Sequence, residues 1–410
     1  MPDVVVVGGG ALGLSTALHC ALLGSEVTLV ERRTLGSQAS GRAAGLFKSV
    51  QADELRTALA RRSIDKARTF ADWTGVELPV VASGSLLVAR RPAHQAMLAA
   101  ELAASRGWGV ALAEVEPRDL ADRASYLVPT GDETALWCPE DVYVDEPVTL
   151  VEAYGDACRR AGVEVLQEEA VLEVTVGADG AVDGVATSRR RLRAPAVVDA
   201  AGAWVRDVLA RGAATRDRVD VAVAPVRHQL LVTAPTGDVA GTDPIVRIVD
   251  AAVYLRPNRG GLMVGGFEPD PLPVDPRATA QDGDHGYDTA DVPLDPAVLD
   301  RLVASVADCV PAATGTPAEL RGGLFTMSPD GRFVVGPVGA LPGLWVATGC
   351  NGSGFSSSPA LGEQLAEWLV RGRPTLDLSP LAPDRFGPTA DAELVERGTW
   401  QYAHYYDPLA

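Results

Sequence analysis

Apolar positions change their spacing repeatedly along this chain. Val4, Val5, Val6 and Val7 form an unbroken β-branched run, the pattern of a short strand buried on both faces. From Ala11 to Leu23 the spacing becomes helical, with Leu12, Leu14, Ala17, Leu18, Ala21 and Leu22 apolar. Gly24 closes that helix, and residues 27–30 form a second buried strand. Residues 52–75 read as a helix with Leu55, Leu59, Ile64, Ala67 and Phe70 on one face. A strand over 84–90, a helix over 92–109 and a proline-started helix from Pro147 follow, then further strands. Residues 219–272 read mainly as strands with a Gly-Gly turn at 260–261, and 297–310 as a helix. Residues 270–296, rich in Pro, Asp and Gly, read as a surface excursion or a lid. Leu344 to Thr348 is a buried strand running into a Gly-rich turn and a helix. No repeat or coiled coil is visible.

The stretch between Asp3 and Glu26 carries no charge, and its length approaches that of a membrane span. Its glycines and its change of period point elsewhere. Strand, Gly8-x-Gly10-x-x-Gly13, helix, strand and then Glu31 is the order of a dinucleotide-binding unit. Gly8 allows the tight turn, Gly10 lets the backbone approach a pyrophosphate, and Gly13 lets helix and strand pack closely. The helix N-terminus supplies free amides and a positive dipole end. Glu31, roughly 20 residues on, suits ribose hydroxyls and disfavours a 2′-phosphate, leaving FAD or NAD.

Composition narrows the function classes. The net charge of −18 argues against nucleic-acid binding and against docking on an anionic membrane. Five scattered cysteines form no CxxC pair, which reads as reduced thiols in a cytoplasmic protein. The five histidines, His285 among them, show no metal-binding spacing, so no metal site is expected. The opening Met-Pro-Asp lacks the basic region of a signal peptide.

The loop after Glu31 separates the two cofactors. It runs Arg32, Arg33, then Ser40, Gly41, Arg42, Ala43, Ala44, Gly45 and Leu46. Its small residues expose backbone amides and one arginine can pair with a phosphate. GGGALGLS, VER and ASGRAAG, followed in order by VVDAAGAWVRDVL (197–209), YLRPNRGGLMVGGFEPDP (254–271) and TMSPDGRFVVGPVGALPGLWVATGCNGSGFSSSPALGEQLAEWL (326–369), resemble the D-amino-acid oxidase/sarcosine oxidase superfamily of flavoenzymes. The stretch 254–271 is similar to a substrate-domain strand pair, especially in the dimethylglycine and sarcosine dehydrogenase branch. The resemblance covers about residues 1–385. It implies an α/β (α+β) fold: a Rossmann-like FAD-binding domain (1–80, 141–222 and 325–385) and a discontinuous, mainly antiparallel β-sheet substrate domain (81–140 and 223–324). The aromatic tail 386–410 lies outside that core, where it would pack on the surface or mediate a homodimer contact.

The resemblance also implies FAD contacts from Gly8, Gly10, Ala11, Leu12, Gly13, Glu31 and the 32–46 loop. Val171, Ala201, Gly202, Trp204, Gly323 and Asp330 would add to them, with Gly352, Ser353, Gly354, Phe355 and Ser356 at a helix start facing the reduced ring. Relatives that attach flavin through histidine carry it where Ser40 stands, and those that use cysteine carry it near Gly323, so dissociable FAD is expected. The family's oxygen-activating lysine falls at Met263. Its carboxylate-binding lysine falls at Ser356 and the arginine partner near Phe47, beside Lys48, which reads as a solvated charge. Candidate pocket residues are Tyr254, Arg256, His228 and Phe325. Tyr254 is a substrate hydrogen bonder or an ordinary strand aromatic, Arg256 a carboxylate partner or a surface pair, and His228 a base or a satisfied strand histidine.

The implied activity is hydride transfer from a carbon beside nitrogen to flavin, giving an imine that hydrolyses. An amino acid or a secondary or tertiary N-methyl amine is the donor, and O2 or an electron-transfer protein the acceptor. The chain ends without a folate-type domain, so no built-in formaldehyde trap is expected. Two alternatives stay open: oxidation of another donor, such as a 2-hydroxy acid or a biosynthetic intermediate, and a non-catalytic FAD-binding scaffold. Substrate-dependent bleaching separates enzyme from scaffold.

Overall fold

The computed structural model describes residues 1–279 and 288–408. The valine run forms the strand Val4–Val7 inside a six-stranded sheet ordered Val334–Pro337, Leu344–Thr348, Ala196–Asp199, Val4–Val7, Val27–Val30, Glu164–Leu166. Neighbours run parallel except for the first pair. Val4 and Val6 pack with Leu14, Leu18, Leu361 and Leu365 of the helices Ala11–Leu22 and Gly354–Arg371. Val5 and Val7 pack on the other face against Val174 and Val185 of an antiparallel three-stranded sheet. Both faces are dry, which is why the strand carries no polar position. A Cβ on Gly13 would lie 2.0 Å from the Gly8 carbonyl oxygen, so only glycine lets the helix sit this close to the strand.

The second sheet has eight strands, ordered Pro317–Met327, Ala224–Thr233, Gly261–Gly266, Val253–Asn258, Ile245–Ile248, Ser85–Ala89, Thr134–Cys138, Ala113–Val115. It is antiparallel except where Ile245–Ile248 runs parallel to Ser85–Ala89. The fold is therefore α/β, a Rossmann-type sheet joined to a mainly antiparallel one.

Local boundaries differ from the pattern in three places. The helix expected over 52–75 breaks at Thr69 into Glu54–Arg68 and Phe70–Thr74, because the Thr69 hydroxyl donates back to the Asp65 carbonyl at 2.8 Å. The hairpin turn centres on Arg259 and Gly260, with φ of 50° and 79°, while Asn258 pairs with Gly261. That is one residue earlier than the Gly-Gly reading, and it suits a two-residue turn. The helix expected over 297–310 spans Pro296–Ala304, where the Ser305 hydroxyl donates to the Leu302 carbonyl. Of the 270–296 excursion, Pro273 bridges Val226 and Asp288 binds Arg32, Arg33 and Gln38. Residues 280–287, His285 included, lie outside the described residues. No helix among the described residues is long and apolar enough to cross a membrane.

One buried acid gives a stability prediction. Asp199, 0% exposed, accepts from the Ala201 amide through Oδ1, while Oδ2 has no protein partner among the described residues. Burial, with a small push from Asp207, raises its pKa to about 8. Between the ordinary carboxyl value and about 8 the folded state holds a proton that the unfolded chain has lost. Stability therefore falls as pH rises, by about 1.4 kcal/mol per unit. Asp199→Asn keeps the acceptor and removes the proton. Thermal midpoints are expected to favour the variant at pH 8 far more than at pH 5; parallel curves would show that Asp199 is not protonated.

Candidate functional site

A cleft of about 1320 Å³, counting its open mouth, is lined by residues at the carboxyl ends of Val4–Val7 and Val27–Val30. Gly8, Gly10, Ala11 and Leu12 line one wall. The helix Ala11–Leu22 has Gly10 as its N-cap and no side-chain cap. Ser40 reaches in from the next loop, its hydroxyl oxygen accepting from the Ala11 amide at 3.0 Å. Glu31 lines the cleft at the end of the second strand and is 7% exposed. Burial pushes its carboxyl up, and the Gly9 and Arg33 amides, donating at 2.7 and 2.8 Å, pull it back.

Arg32, Ala43, Val171, Ala201, Gly202 and Trp204 complete the cleft walls. Arg32 lies 4.2 Å over the Trp204 ring. Trp204 is buried and its Nε1–H finds no acceptor among the described residues. A helix start whose N-cap glycine offers no side-chain cap, a glycine cradle, a buried acid at the strand end and an indole donor without an acceptor among the described residues together fit a dinucleotide. Gly8, Gly10, Glu31 and Trp204 are the residues that would hold it.

A second cavity, about 720 Å³, shares Ala39, Ala43, Phe325, Gly352 and Phe355 with the first. At this junction stands the helix Gly354–Arg371, whose N-cap Ser353 makes no side-chain cap. Gly352, Phe355 and Ser356 face the second cavity, the Ser356 hydroxyl tied to the Ser353 carbonyl. Its floor comes from the eight-stranded sheet: His228, Leu230, Tyr254, Gly323 and Phe325. Tyr254 crosses over Gly265, where a Cβ would lie 2.3 Å from its hydroxyl. That passage lets Tyr254 reach His228 Nε2 at 2.8 Å. His228 stacks on Phe325 at 4.1 Å, and burial pushes its pKa down to about 3. Both ring nitrogens of His228 are thus bonded within the protein, to Tyr402 and Tyr254.

The charge of this cavity is one-sided. Arg42, Lys48 and Arg321 line it, and no carboxylate does among the described residues. Arg321 is paired with Glu319 and Glu146. Arg42 is bonded only weakly, to the Ser37 carbonyl at 3.5 Å. Lys48 is half-buried and donates to the Tyr405 hydroxyl at 3.2 Å. Burial pushes the Tyr405 phenol up, but the Lys48 ammonium, the Ser353 hydroxyl and the Arg247 charge together outweigh it and pull Tyr405 down to about 8.

Several expected positions fall elsewhere. Arg256 is 0% exposed and lines neither cavity. Its guanidinium is spent on the carbonyls of Ala44, Asp145 and Pro257 and on the Asp145 carboxylate, so it is neither a surface pair nor a substrate ligand. Asp330 lines neither cavity, because its carboxylate binds Arg385 at 2.9 and 3.0 Å. Arg33 pairs with Asp288. Gly41 acts through close packing, a Cβ there lying 2.5 Å from the Gly36 oxygen. Ala44, Gly45 and Leu46 line the second cavity, not the first. Met263 is buried with Leu230 and Val232. Lys48 is enclosed, contrary to the solvated reading. The tail is the largest omission: Tyr405 and Tyr406 line the second cavity, and the dense aromatics from Trp400 onward were the signal for it.

The family model for FAD dependent oxidoreductases matches residues 3–368. The 4-methylaminobutanoate oxidase (formaldehyde-forming) of Paenarthrobacter nicotinovorans is 30% identical over 390 residues, 93% of this chain and 45% of that protein. The mitochondrial dimethylglycine dehydrogenase of Homo sapiens is 26% identical over 408 residues, 96% of this chain and 45% of that protein. The chain thus spans about half the length of these relatives. Glycine oxidase of Pseudomonas aeruginosa, 30% identical over 389 residues, is matched over 93% of this chain and 98% of its own length. In fold, the chain is similar to L-proline dehydrogenase from P. horikoshii, with a TM-score of 0.82 at 22% identity over 94% of this chain and 97% of that one.

Proposed function

This chain belongs to the family of FAD-dependent oxidoreductases, and we propose that it oxidises the C–N bond of an amine that carries a carboxylate, an amino acid or its N-methyl derivative. The observation that carries this reading is the cationic lining of the second cavity, with no carboxylate among the described residues, in a chain whose net charge is −18. Relatives that act on 4-methylaminobutanoate, dimethylglycine and glycine by name support the donor class.

Bound FAD supplies the two-electron acceptor. The chain binds and orients the donor. Arg42 and Lys48 would attract its carboxylate, and the same cations disfavour a second positive charge beside them. The amine is therefore held as the free base, and no residue of the cavity has to remove its proton. Tyr254 and Phe325 shape the face on which the donor lies, and the Gly354–Arg371 helix start would stabilise negative charge at the junction. Assigning residues 1–80, 141–222 and 325–385 to the cofactor and 81–140 and 223–324 to the donor is supported by strand membership. Every strand of the six-stranded sheet falls in the first set, and the eight-stranded sheet leaves the second only in the last three residues of the strand Pro317–Met327.

Turnover of matched pairs tests the reading: proline against pyrrolidine, and N-methylglycine against dimethylamine, each with dioxygen and with a dye acceptor. The acid of each pair is expected to show about 10- to 100-fold higher kcat/KM, from the 1.5–3 kcal/mol of a charge-assisted contact. Equal values would remove the carboxylate from the account.

FAD is expected to be held without a covalent bond. Ser40 and Gly323 offer no imidazole or thiol. Cys350 lines the first cleft, but burial pushes its thiol up to about 11, where it is protonated and a poor nucleophile. Acid precipitation should leave all flavin in the supernatant; flavin in the pellet would contradict this.

A further inference from the structure

The segment after residue 390 lies beyond the stretch matched by the family, which ends at residue 368, yet it finishes the second cavity. The helix Asp391–Ala403 packs along the strand Ala224–Thr233. Gly398 allows the close approach, since a Cβ there would sit 3.0 Å from the Ala224 side chain and 3.3 Å from that of Met327. Four residues on, one helical turn away, Tyr402 is carried into the interior, 0% exposed.

Its hydroxyl lies 2.8 Å from His228 Nδ1, while His228 Nε2 lies 2.8 Å from the Tyr254 hydroxyl. A neutral imidazole has one donor nitrogen and one acceptor. The two tyrosines therefore cannot play the same part: one donates to the ring and the other accepts from it. Tyr402 is 0% exposed and lines neither cavity, so its proton needs a protein acceptor, and among the described residues that acceptor is His228 Nδ1. Nε2 then carries the ring hydrogen and donates to Tyr254. The Tyr254 proton then has no acceptor among the described residues and is presented to the cavity that its ring lines.

We infer that Tyr402, from the C-terminal helix, is a positioning residue: through His228 it makes Tyr254 a hydrogen-bond donor to the carboxylate of the substrate. The inference rests on the proposed carboxylate-bearing donor. It makes the tail an integral part of the donor site, with Tyr405 stacked on Phe267 at 4.1 Å and bonded to Lys48 as its outer wall.

The test uses FAD-loaded protein and propanoate, a carboxylate with no amine to oxidise, in calorimetric titrations of wild type, Tyr402→Phe, Tyr254→Phe and the double variant. Each single variant keeps its ring and is expected to bind propanoate about 10-fold more weakly, about 1.4 kcal/mol. The double variant is expected to be no weaker than either single one, because both act through the same proton. FAD affinity should be unchanged throughout. Nitrogen-15 shifts of labelled His228 give a second readout, with hydrogen on Nε2 in wild type and a change of tautomer in Tyr402→Phe. Additive losses, unchanged binding in Tyr402→Phe, or hydrogen on Nδ1 in wild type would each overturn the inference. Absence of propanoate binding in wild type would overturn the carboxylate reading first, and the inference with it.

Discussion

Gly10→Asp is expected to give a folded protein that purifies without colour. Gly10 sits at φ −80° and ψ 174°, extended backbone open to any residue. Its Cβ would meet only the Ser40 hydroxyl, at 3.2 Å, a contact that a small side-chain shift relieves. Aspartate is moreover a good N-cap, so the helix Ala11–Leu22 gains a partner for its free amides. The loss falls on the cofactor. The new carboxylate takes the amides and the dipole end that a pyrophosphate needs, and repels it. A drop in FAD affinity of at least about 100-fold, about 2.8 kcal/mol, is expected from flavin fluorescence titrations. Unfolding curves of the apoprotein should match wild type. Gly13→Ala is the contrast: its Cβ would lie 2.0 Å from backbone, so folding and binding should fail together. A yellow Gly10→Asp protein with wild-type affinity would place the phosphates elsewhere.

Lys48→Met should raise KM for an amino-acid donor about 10- to 100-fold and leave kcat within a few-fold. The side chain keeps its length and its apolar stem, so the wall stays packed while the charge disappears. A charge-assisted hydrogen bond in a partly desolvated pocket contributes about 1.5–3 kcal/mol. Because the contact is made equally in ground and transition states, its loss appears in KM. The same variant carries an internal control. The Lys48 ammonium is the largest of the effects that bring the Tyr405 phenol down to about 8, so ultraviolet titration should show a tyrosine ionising near there in wild type and at higher pH in the variant. A loss of kcat with KM unchanged would move Lys48 from binding to some other role.

The cofactor half of this protein was readable because its chemistry lies in contiguous stretches. Strand, glycine cradle, helix, strand and Glu31 occupy one unbroken run, and each residue there acts through backbone or nearest neighbours. The donor half was readable only as a list of candidates. Arg256 looked like a surface pair because its acceptors, the carbonyls of Ala44 and Asp145, are remote in sequence and carbonyls leave no mark in a residue pattern. Asp330 stood inside a recognisable motif, but its partner Arg385 lies 55 residues on. Lys48 was read as solvated since nothing nearby in the chain covers it; the cover comes from Tyr405, 357 residues away. The tail could be seen as aromatic. Its burial depends on Gly398 letting the helix approach the sheet, a contact between elements that periodicity alone cannot express.

The most direct test of the whole account is the visible absorbance of the FAD-loaded protein under anaerobic conditions, titrated with amino acids, N-methyl amino acids, the matching amines without a carboxylate, and 2-hydroxy acids. Bleaching of the flavin band by an amine that carries a carboxylate, and not by its decarboxylated partner, is the result this structure predicts. Bleaching by a 2-hydroxy acid alone, or by none of these compounds, would contradict it.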